Sequence, residues 1–329
     1  MTASDMTTTI CASHLAKSFG ATRAVHDVSF EVHAGEVFGL LGPNGAGKTT
    51  IIRMILDIFK PDQGEISVLG GPMTEPKKEQ IGYLPEERGL YKDLKVEECV
   101  LYLAELKGVT RRDARLRAER YFQQLDLTAY KSRKVNDLSK GMQQKVQVIT
   151  TLIHNPRLVI IDEPFSGLDP VNTRLIQDIL LKERQNGTSI VMSTHQMVQV
   201  EEMCDRIVLI NKGDSVLYGP VDDIRHRYAD NAVHVVVRGE LPNLPGVLET
   251  KLKSSAYGMP PSELAGSAQG SSPDTTKGAE YMLRLPKDMT PQALLRTLAN
   301  TPGLILESFE LAIPTMDDIF VRVVSGERE

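Results

Sequence analysis

The stretch VFGLLGPNGAGKTT, residues 37–50, decides the fold. Val37–Leu41 is a short apolar run that reads as a buried strand. Gly42-Pro43-Asn44-Gly45-Ala46-Gly47-Lys48-Thr49 follows and fits G-x-x-x-x-G-K-[ST]. Lys48–Phe59 then reads as an apolar-rich helix that Pro61 ends. A strand, a glycine-rich loop and a helix in that order make a phosphate cradle. Glycines let backbone N–H groups close around an anion, and the helix N-terminus adds a favourable dipole. Lys48 is placed to reach β- and γ-phosphates and the Thr49 hydroxyl to hold Mg²⁺, with Thr50 completing the expected contact set. A chance glycine-rich turn is the bland alternative, and the strand–helix context argues against it.

Further along, Leu158-Val159-Ile160-Ile161 precedes Asp162-Glu163. Open α/β sheets bind ligands at the carboxyl ends of their strands, where this acidic pair falls. Asp162 suits the Mg²⁺ shell, and Glu163 suits a general base acting on water. Alone, such a run is often only structural; below a phosphate loop in the same chain it carries weight. Ser189–Met192 and Arg206–Ile210 are further buried runs. Arg111–Leu125, Met142–His154 and Thr173–Gln185 read as helices between them. This alternation predicts an α/β core with a mainly parallel sheet. The opening stretch and Gly64–Leu69 read as shorter strands of an antiparallel extension.

These motifs resemble those of ATP-binding cassette (ABC) ATPases. Leu138-Ser139-Lys140-Gly141-Met142-Gln143 is similar to the family's LSGGQ signature, and Ser166-Gly167-Leu168-Asp169 to its D-loop. His195, in MSTHQ, resembles the switch histidine that touches the γ-phosphate. Phe19, in KSFG, resembles the aromatic residue that stacks on adenine. The resemblance covers about residues 8–225. It implies a P-loop ATPase core with an antiparallel β subdomain and a helical subdomain, using ATP and Mg²⁺. It also implies a head-to-tail dimer in which Ser139 and Gly141 cap the γ-phosphate held by the other subunit, with Asp169 beside it. An ordinary Ser N-cap is an equally valid structural role for Ser139.

Two departures stand out. Lys140 and Met142 occupy signature positions where the family has Gly and Gln. In Ile81-Gly82-Tyr83-Leu84-Pro85-Glu86-Glu87-Arg88, Glu86 falls where the family has a glutamine. A carboxylate there is a good Mg²⁺ ligand but adds negative charge beside the γ-phosphate. The run Pro85–Tyr91 (PEERGLY) and Asp317-Asp318-Ile319-Phe320 resemble the Nat-type, sodium-exporter-like subgroup of type-2 ABC exporter ATPases, whose members carry a small C-terminal domain.

Composition agrees with a globular chain. Of 329 residues, 25% are charged and 41% apolar, and 38 basic against 43 acidic residues give a net charge of -5. That balance argues against binding nucleic acid through a strongly basic whole-chain field. Cys11, Cys99 and Cys204 show no C-x-x-C spacing, so no zinc pattern exists and free thiols are expected. The first sixteen residues lack Lys, Arg and a long apolar core, so no secretory signal is expected. No run approaches the roughly 18 apolar residues of a membrane span. The expectation is a soluble chain that reaches the cytoplasmic face of a membrane only through a separate polytopic permease.

The expected domains are 8–228, the nucleotide-binding domain, and 229–329, a small α+β domain. Within the second, Ala232–Arg238, Tyr281–Leu285 and Leu304–Leu311 are β-like, while Pro291–Leu298 and Met316–Val324 are helical. Lys253–Glu280, rich in Ser, Gly, Pro and Ala, reads as a flexible insert. Arg111, Arg112, Arg115, Arg117 and Arg120 form a basic cluster on one predicted helix. It reads as a solvated face paired with neighbours such as Asp113 and Glu119. Asn186-Gly187-Thr188 fits a glycosylation acceptor but reads as a turn. The leading functional expectation is the ATPase subunit of an ABC exporter. The alternatives are a soluble non-transport ABC ATPase and a regulatory nucleotide-binding module. A single cassette and the complete Lys48, Asp162, Glu163, His195 set weigh against both.

Overall fold

The computed structural model describes residues 7–87, 89–239, 241–255, 278–286 and 288–325. The chain divides into two compact units, with Arg225–Arg322 forming the second. Cys11, Cys99 and Cys204 are free thiols. Among the described residues no helix is long and apolar enough to cross a membrane.

The first unit is built on a nine-stranded sheet. Its strands are β1 (Thr8–Phe19), β2 (Thr22–His33), β3 (Val37–Leu41), β4 (Gln63–Val68), β5 (Ile81–Leu84), β6 (Leu158–Asp162), β7 (Ser189–Thr194), β8 (Arg206–Asn211) and β9 (Asp214–Pro220). Their order in the sheet is β4-β1-β2-β9-β8-β3-β7-β6-β5. The run β8-β3-β7-β6-β5 is parallel throughout. β1 pairs antiparallel with both β2 and β4, which is the expected antiparallel extension. β3 and β6 are buried at every position, as parallel strands covered on both faces must be. The polarity of this sheet sends the ends of β3, β6 and β7 to one edge, and the site lies there.

The helices of this unit are α1 (Lys48–Ile55), α2 (Glu75–Lys78), α3 (Val96–Leu106), α4 (Arg111–Gln124), α5 (Lys140–Leu152), α6 (Pro170–Gln185), α7 (Met197–Met203) and α8 (Val221–Arg227). Capping residues start three of them. Thr110, Ser139 and Asp169 each accept a hydrogen bond from the backbone N–H three residues on, and Pro170 opens α6 where its missing N–H costs nothing. α1 stops at Ile55, short of the expected Phe59. Asp57 takes a left-handed φ of 61° there, which breaks the helical run before Pro61.

The second unit carries a four-stranded antiparallel sheet. Its strands are β10 (Ala232–Arg238), β11 (Glu249–Ser255), β12 (Gly278–Arg284) and β13 (Ile305–Leu311), in the order β11-β12-β10-β13. Val233, Val235, Val237 and Leu283 pack with Leu294 and Leu298 of α9 (Pro291–Ala299) in one core. The last helix is α10 (Met316–Ser325). Of the expected insert Lys253–Glu280, residues 253–255 belong to β11 and 278–280 to β12, and 256–277 lie outside the described residues.

Candidate functional site

The loop between β3 and α1 is bent by glycines in conformations that other residues rarely adopt. Gly47 has φ 113°, and a Cβ on it would lie 2.6 Å from the Ala24 carbonyl oxygen. The loop therefore requires glycine there on steric grounds. The Lys48 ammonium folds back over the loop, donating to the Gly42 carbonyl at 2.7 Å and the Pro43 carbonyl at 3.2 Å. Burial lowers its pKa, and Glu163, Asp162 and Glu86 oppose that shift by Coulomb attraction.

The acidic pair faces this loop. The Thr49 hydroxyl donates to Asp162 Oδ2 at 3.2 Å. Asp162 is buried, and its Oδ1 accepts from the Ser193 hydroxyl. The Glu163 N–H donates to the Ser193 carbonyl at 3.1 Å. Glu163 itself has φ 51°, a left-handed conformation that costs a non-glycine residue of order 1 kcal/mol. That turn swings its carboxylate away from β6 and toward His195, whose Nδ1 lies 2.8 Å from Glu163 Oε1.

Together these groups enclose a cleft of about 530 Å³. Of the residues expected at the site, Asn44, Gly45, Gly47, Lys48, Thr49, Thr50, Glu86, Asp162, Glu163 and His195 line it. Gly42, Pro43 and Ala46 belong to the same loop behind the wall, with Ala46 buried. The walls do not include Phe19, Ser139, Gly141 or Asp169. Phe19 ends β1, 45% exposed, edge-on to Phe59 at 5.3 Å. Ser139 and Asp169 cap helices, and Gly141 sits where a Cβ would meet Leu168 at an ordinary 3.5 Å. Steric demand inside this subunit therefore does not account for Gly141.

Two lining residues, Ala24 and Ser166, are not among the expected contacts, and neither is the Ser193 hydroxyl that donates to Asp162 behind them. Ser166 was within the quoted D-loop run. Ser193 has no local signal, because it meets Asp162 only through the parallel register of β6 and β7.

The charge of the cleft tests its fit to a nucleotide. One lysine faces three carboxylates, Glu86, Asp162 and Glu163. A triphosphate added to that set needs a further cation. Hard oxygen donors such as Thr49 and Asp162 suit Mg²⁺, which keeps water and phosphate oxygens as its remaining ligands. Among the described residues no three His, Cys, Asp or Glu side chains gather into a closed metal-holding group.

A glycine-bent loop joining a buried parallel strand to a helix N-terminus, opposite a strand-end Asp-Glu pair, defines a P-loop nucleoside triphosphatase. The ABC transporter family model matches residues 25–166, and the model for the C-terminal domain of DrrA1-3-like ATP-binding proteins matches residues 219–324. The uncharacterized ABC transporter ATP-binding protein YhaQ of Bacillus subtilis is 36% identical over 319 residues, 96% of this chain and 98% of that protein. The ABC transporter ATP-binding protein NatA of the same organism is 34% identical over 223 residues, 67% of this chain and 91% of that protein. A solved ATP-binding subunit of an ABC transporter superposes with a TM-score of 0.62 at 33% identity, over 67% of this chain and 92% of that one. The chain belongs to the ATP-binding proteins of ABC transporters: it is an ATP-binding subunit, an ATPase coupled to transport. Its two matched models and its likeness to NatA support the type-2 exporter subgroup that the PEERGLY run resembles.

Proposed function

We propose that this subunit hydrolyses ATP to drive export through a separate polytopic permease, by ATP-dependent closure of a dimer of ATPase subunits. The convergence of Lys48, Thr49, Asp162, Glu163 and His195 on one cleft carries this reading. In it, Lys48 and the loop N–H groups hold the phosphates, and Thr49 and Asp162 hold Mg²⁺, with Glu86 at its outer side. Mg²⁺ supplies charge neutralisation of the β- and γ-phosphates. Glu163 takes a proton from the attacking water, and the His195 imidazole keeps its carboxylate aimed into the cleft and contacts the γ-phosphate. Phe19 stacks on the base. Ser139, Gly141 and Asp169, which do not line this cleft, contact the nucleotide of the second subunit, so two subunits enclose two ATP molecules. The closed state forms because ATP binds it more tightly than the open one.

The permease contact falls on the segment around Glu86–Leu101. Tyr91 and Tyr102 support it: they are 47% and 42% exposed and meet edge-on at 5.2 Å. Aromatic residues displayed in this way are favoured at protein interfaces. The subunit would then lie at the cytoplasmic face of the membrane, held there by its partner. Residues 8–228 and 229–329 act as nucleotide-binding and accessory domains.

The test is a pull-down from native membranes in detergent with Glu163→Gln and ATP. Recovery of a polytopic membrane protein in an ATP-dependent complex is the expected result. Recovery of ribosomes, DNA or no partner would overturn the transport reading. An undiminished ATPase rate in Glu163→Gln would overturn the assignment of the base.

A further inference from the structure

A second cleft, about 480 Å³ in volume, opens at the edge of the sheet away from the nucleotide site. Its wall combines the C-terminal half of α4, the loop before β6, the end of α6 and the loop before β7. β6 begins at this cleft, one residue after Arg157, and ends at Asp162. At about 3.3 Å per residue the two sites are separated by roughly 16 Å along one strand.

The lining is strongly basic. Arg117, Arg120, Arg157 and Lys182 face a single carboxylate, Glu183. That is four positive charges against one in a chain whose net charge is -5. The lone carboxylate is already engaged, because the Tyr121 hydroxyl donates to Glu183 Oε1 at 3.1 Å. Burial, reinforced by that carboxylate, pushes the Tyr121 phenol far above its ordinary pKa, so it stays a donor. Arg117 is anchored, donating to the Ile153 carbonyl at 3.0 Å. Among the described residues the Arg157 side chain has only a 3.4 Å bond to the Gln80 side chain. Among the described residues the side chains of Arg120 and Lys182 make no ion pair and no hydrogen bond.

The rest of α4 behaves differently. Arg111 pairs with Glu105 and Arg115 with Glu97. The expected solvated, ion-paired face thus describes Arg111 and Arg115, with other partners than Asp113 and Glu119. Asp113 instead accepts from the Thr110 hydroxyl, and Glu119 takes Lys131. Lys182 lies in the last turn of α6, where it complements the helix dipole. Arg117 and Arg120 lie inside α4 and Arg157 precedes a strand, so the dipole explains one cation of the four.

We propose that this cleft is a separate anion site that takes a small polyphosphorylated ligand, of nucleotide size, at the sheet edge opposite the ATP cleft. Guanidinium groups match phosphate oxygens in forked geometry, and four cations drawn from three chain segments converge on one concavity rather than lining a flat face. A single phosphate would leave most of the volume and charge unmatched. Two or three phosphates on a compact organic group match both.

The probe is inorganic tripolyphosphate, titrated calorimetrically into the full chain at low ionic strength in a Lys48→Ala background that weakens the ATP cleft. Arg120→Glu/Lys182→Glu is expected to weaken the remaining binding at least about tenfold, equivalent to roughly 1.4 kcal/mol. Arg120→Gln/Lys182→Gln, a milder change at the same exposed positions, is expected to weaken it in the same direction and serves if the charge reversal misfolds. Arg111→Glu/Arg112→Glu, which makes the same charge change elsewhere on α4, is expected to leave it within about twofold. Absence of tripolyphosphate binding, equal affinity in the Arg120/Lys182 variants, or an equal loss in the Arg111/Arg112 variant would each overturn the site. Pelleting with vesicles of phosphatidylcholine carrying phosphorylated inositol lipid, competed by tripolyphosphate, assigns a lipid headgroup as the source. Tripolyphosphate binding without pelleting assigns a free ligand. Both support the site.

Discussion

The His195 imidazole meets the Glu163 carboxylate at 2.8 Å, Nδ1 to Oε1, across the mouth of the nucleotide cleft. The contact joins the ends of two adjacent parallel strands, and it depends on the left-handed backbone at Glu163. A carboxylate projected from a strained turn is aimed by what it touches rather than by its own rotamer preference. His195 is that contact.

His195→Ala therefore removes the group that contacts the Glu163 carboxylate, the proposed base. The expected outcome is a fall in kcat of about 10²–10³-fold, within the range of general-base catalysis, with KM for ATP changed only a few-fold. Steady-state ATPase kinetics check it. An unchanged kcat would mean that Glu163 is oriented without its histidine.

Gly47→Ala places a Cβ within 2.6 Å of a backbone carbonyl, at a φ of 113°. Backbone must move to accept it, at a cost of about 2–4 kcal/mol. A lowered Tm and lost ATP binding are expected together. Gly45→Ala is the control. At φ 79°, with nothing within 4 Å of the new Cβ, it carries only backbone strain of about 1–2 kcal/mol.

Phe19 is nearly half exposed and touches one other ring, with the Lys17 ammonium 5.7 Å from its centroid. Little of the fold rests on it. Phe19→Ala is expected to raise KM for ATP roughly tenfold, the scale of one base–aromatic stack, with Tm nearly unchanged. Phe19→Tyr should restore the affinity. A KM indifferent to the ring would exclude stacking.

His154 gives the first unit a pH dependence. Burial, aided by the Lys107 charge, holds its pKa down at about 4, against a hydrogen bond to the Ile81 carbonyl that favours the charged form. Among the described residues its Nδ1 is buried without a hydrogen-bond partner. The unfolded chain protonates near pH 6.5 and the folded chain near 4, so between those values the unfolded state binds more protons. Stability is complete above about pH 6.5 and declines as pH falls toward 4, by at most about 1.4 kcal/mol per unit from this group. Urea titrations from pH 7 to 4 should show a shallower decline in His154→Gln than in the native chain. Parallel declines would remove His154 as the cause.

Much of the active cleft was legible because its chemistry is local in the chain. The phosphate loop is eight consecutive residues whose types are dictated by backbone curvature and by one lysine. The Asp162-Glu163 pair is announced by the apolar strand before it. The end of α1 was not legible, since apolar residues continue to Phe59 while the backbone already turns at Asp57. β11 was missed because ETKLKSS is polar and lies at a sheet edge, where the usual alternation of apolar and polar residues fades.

The sequence by itself determined the fold class, the loop that cradles phosphate and the identity of the acidic strand end. Those depend on residue type and short-range spacing, which a linear chain displays. The tertiary structure alone decided that Ser193 holds Asp162, that His195 meets Glu163, and that two of the five α4 arginines join Arg157 and Lys182 in one basic cleft. These pairs stand 25 or more residues apart, and only the parallel register of β6 and β7 and the packing of α4 beside α6 bring them within hydrogen-bond or charge reach.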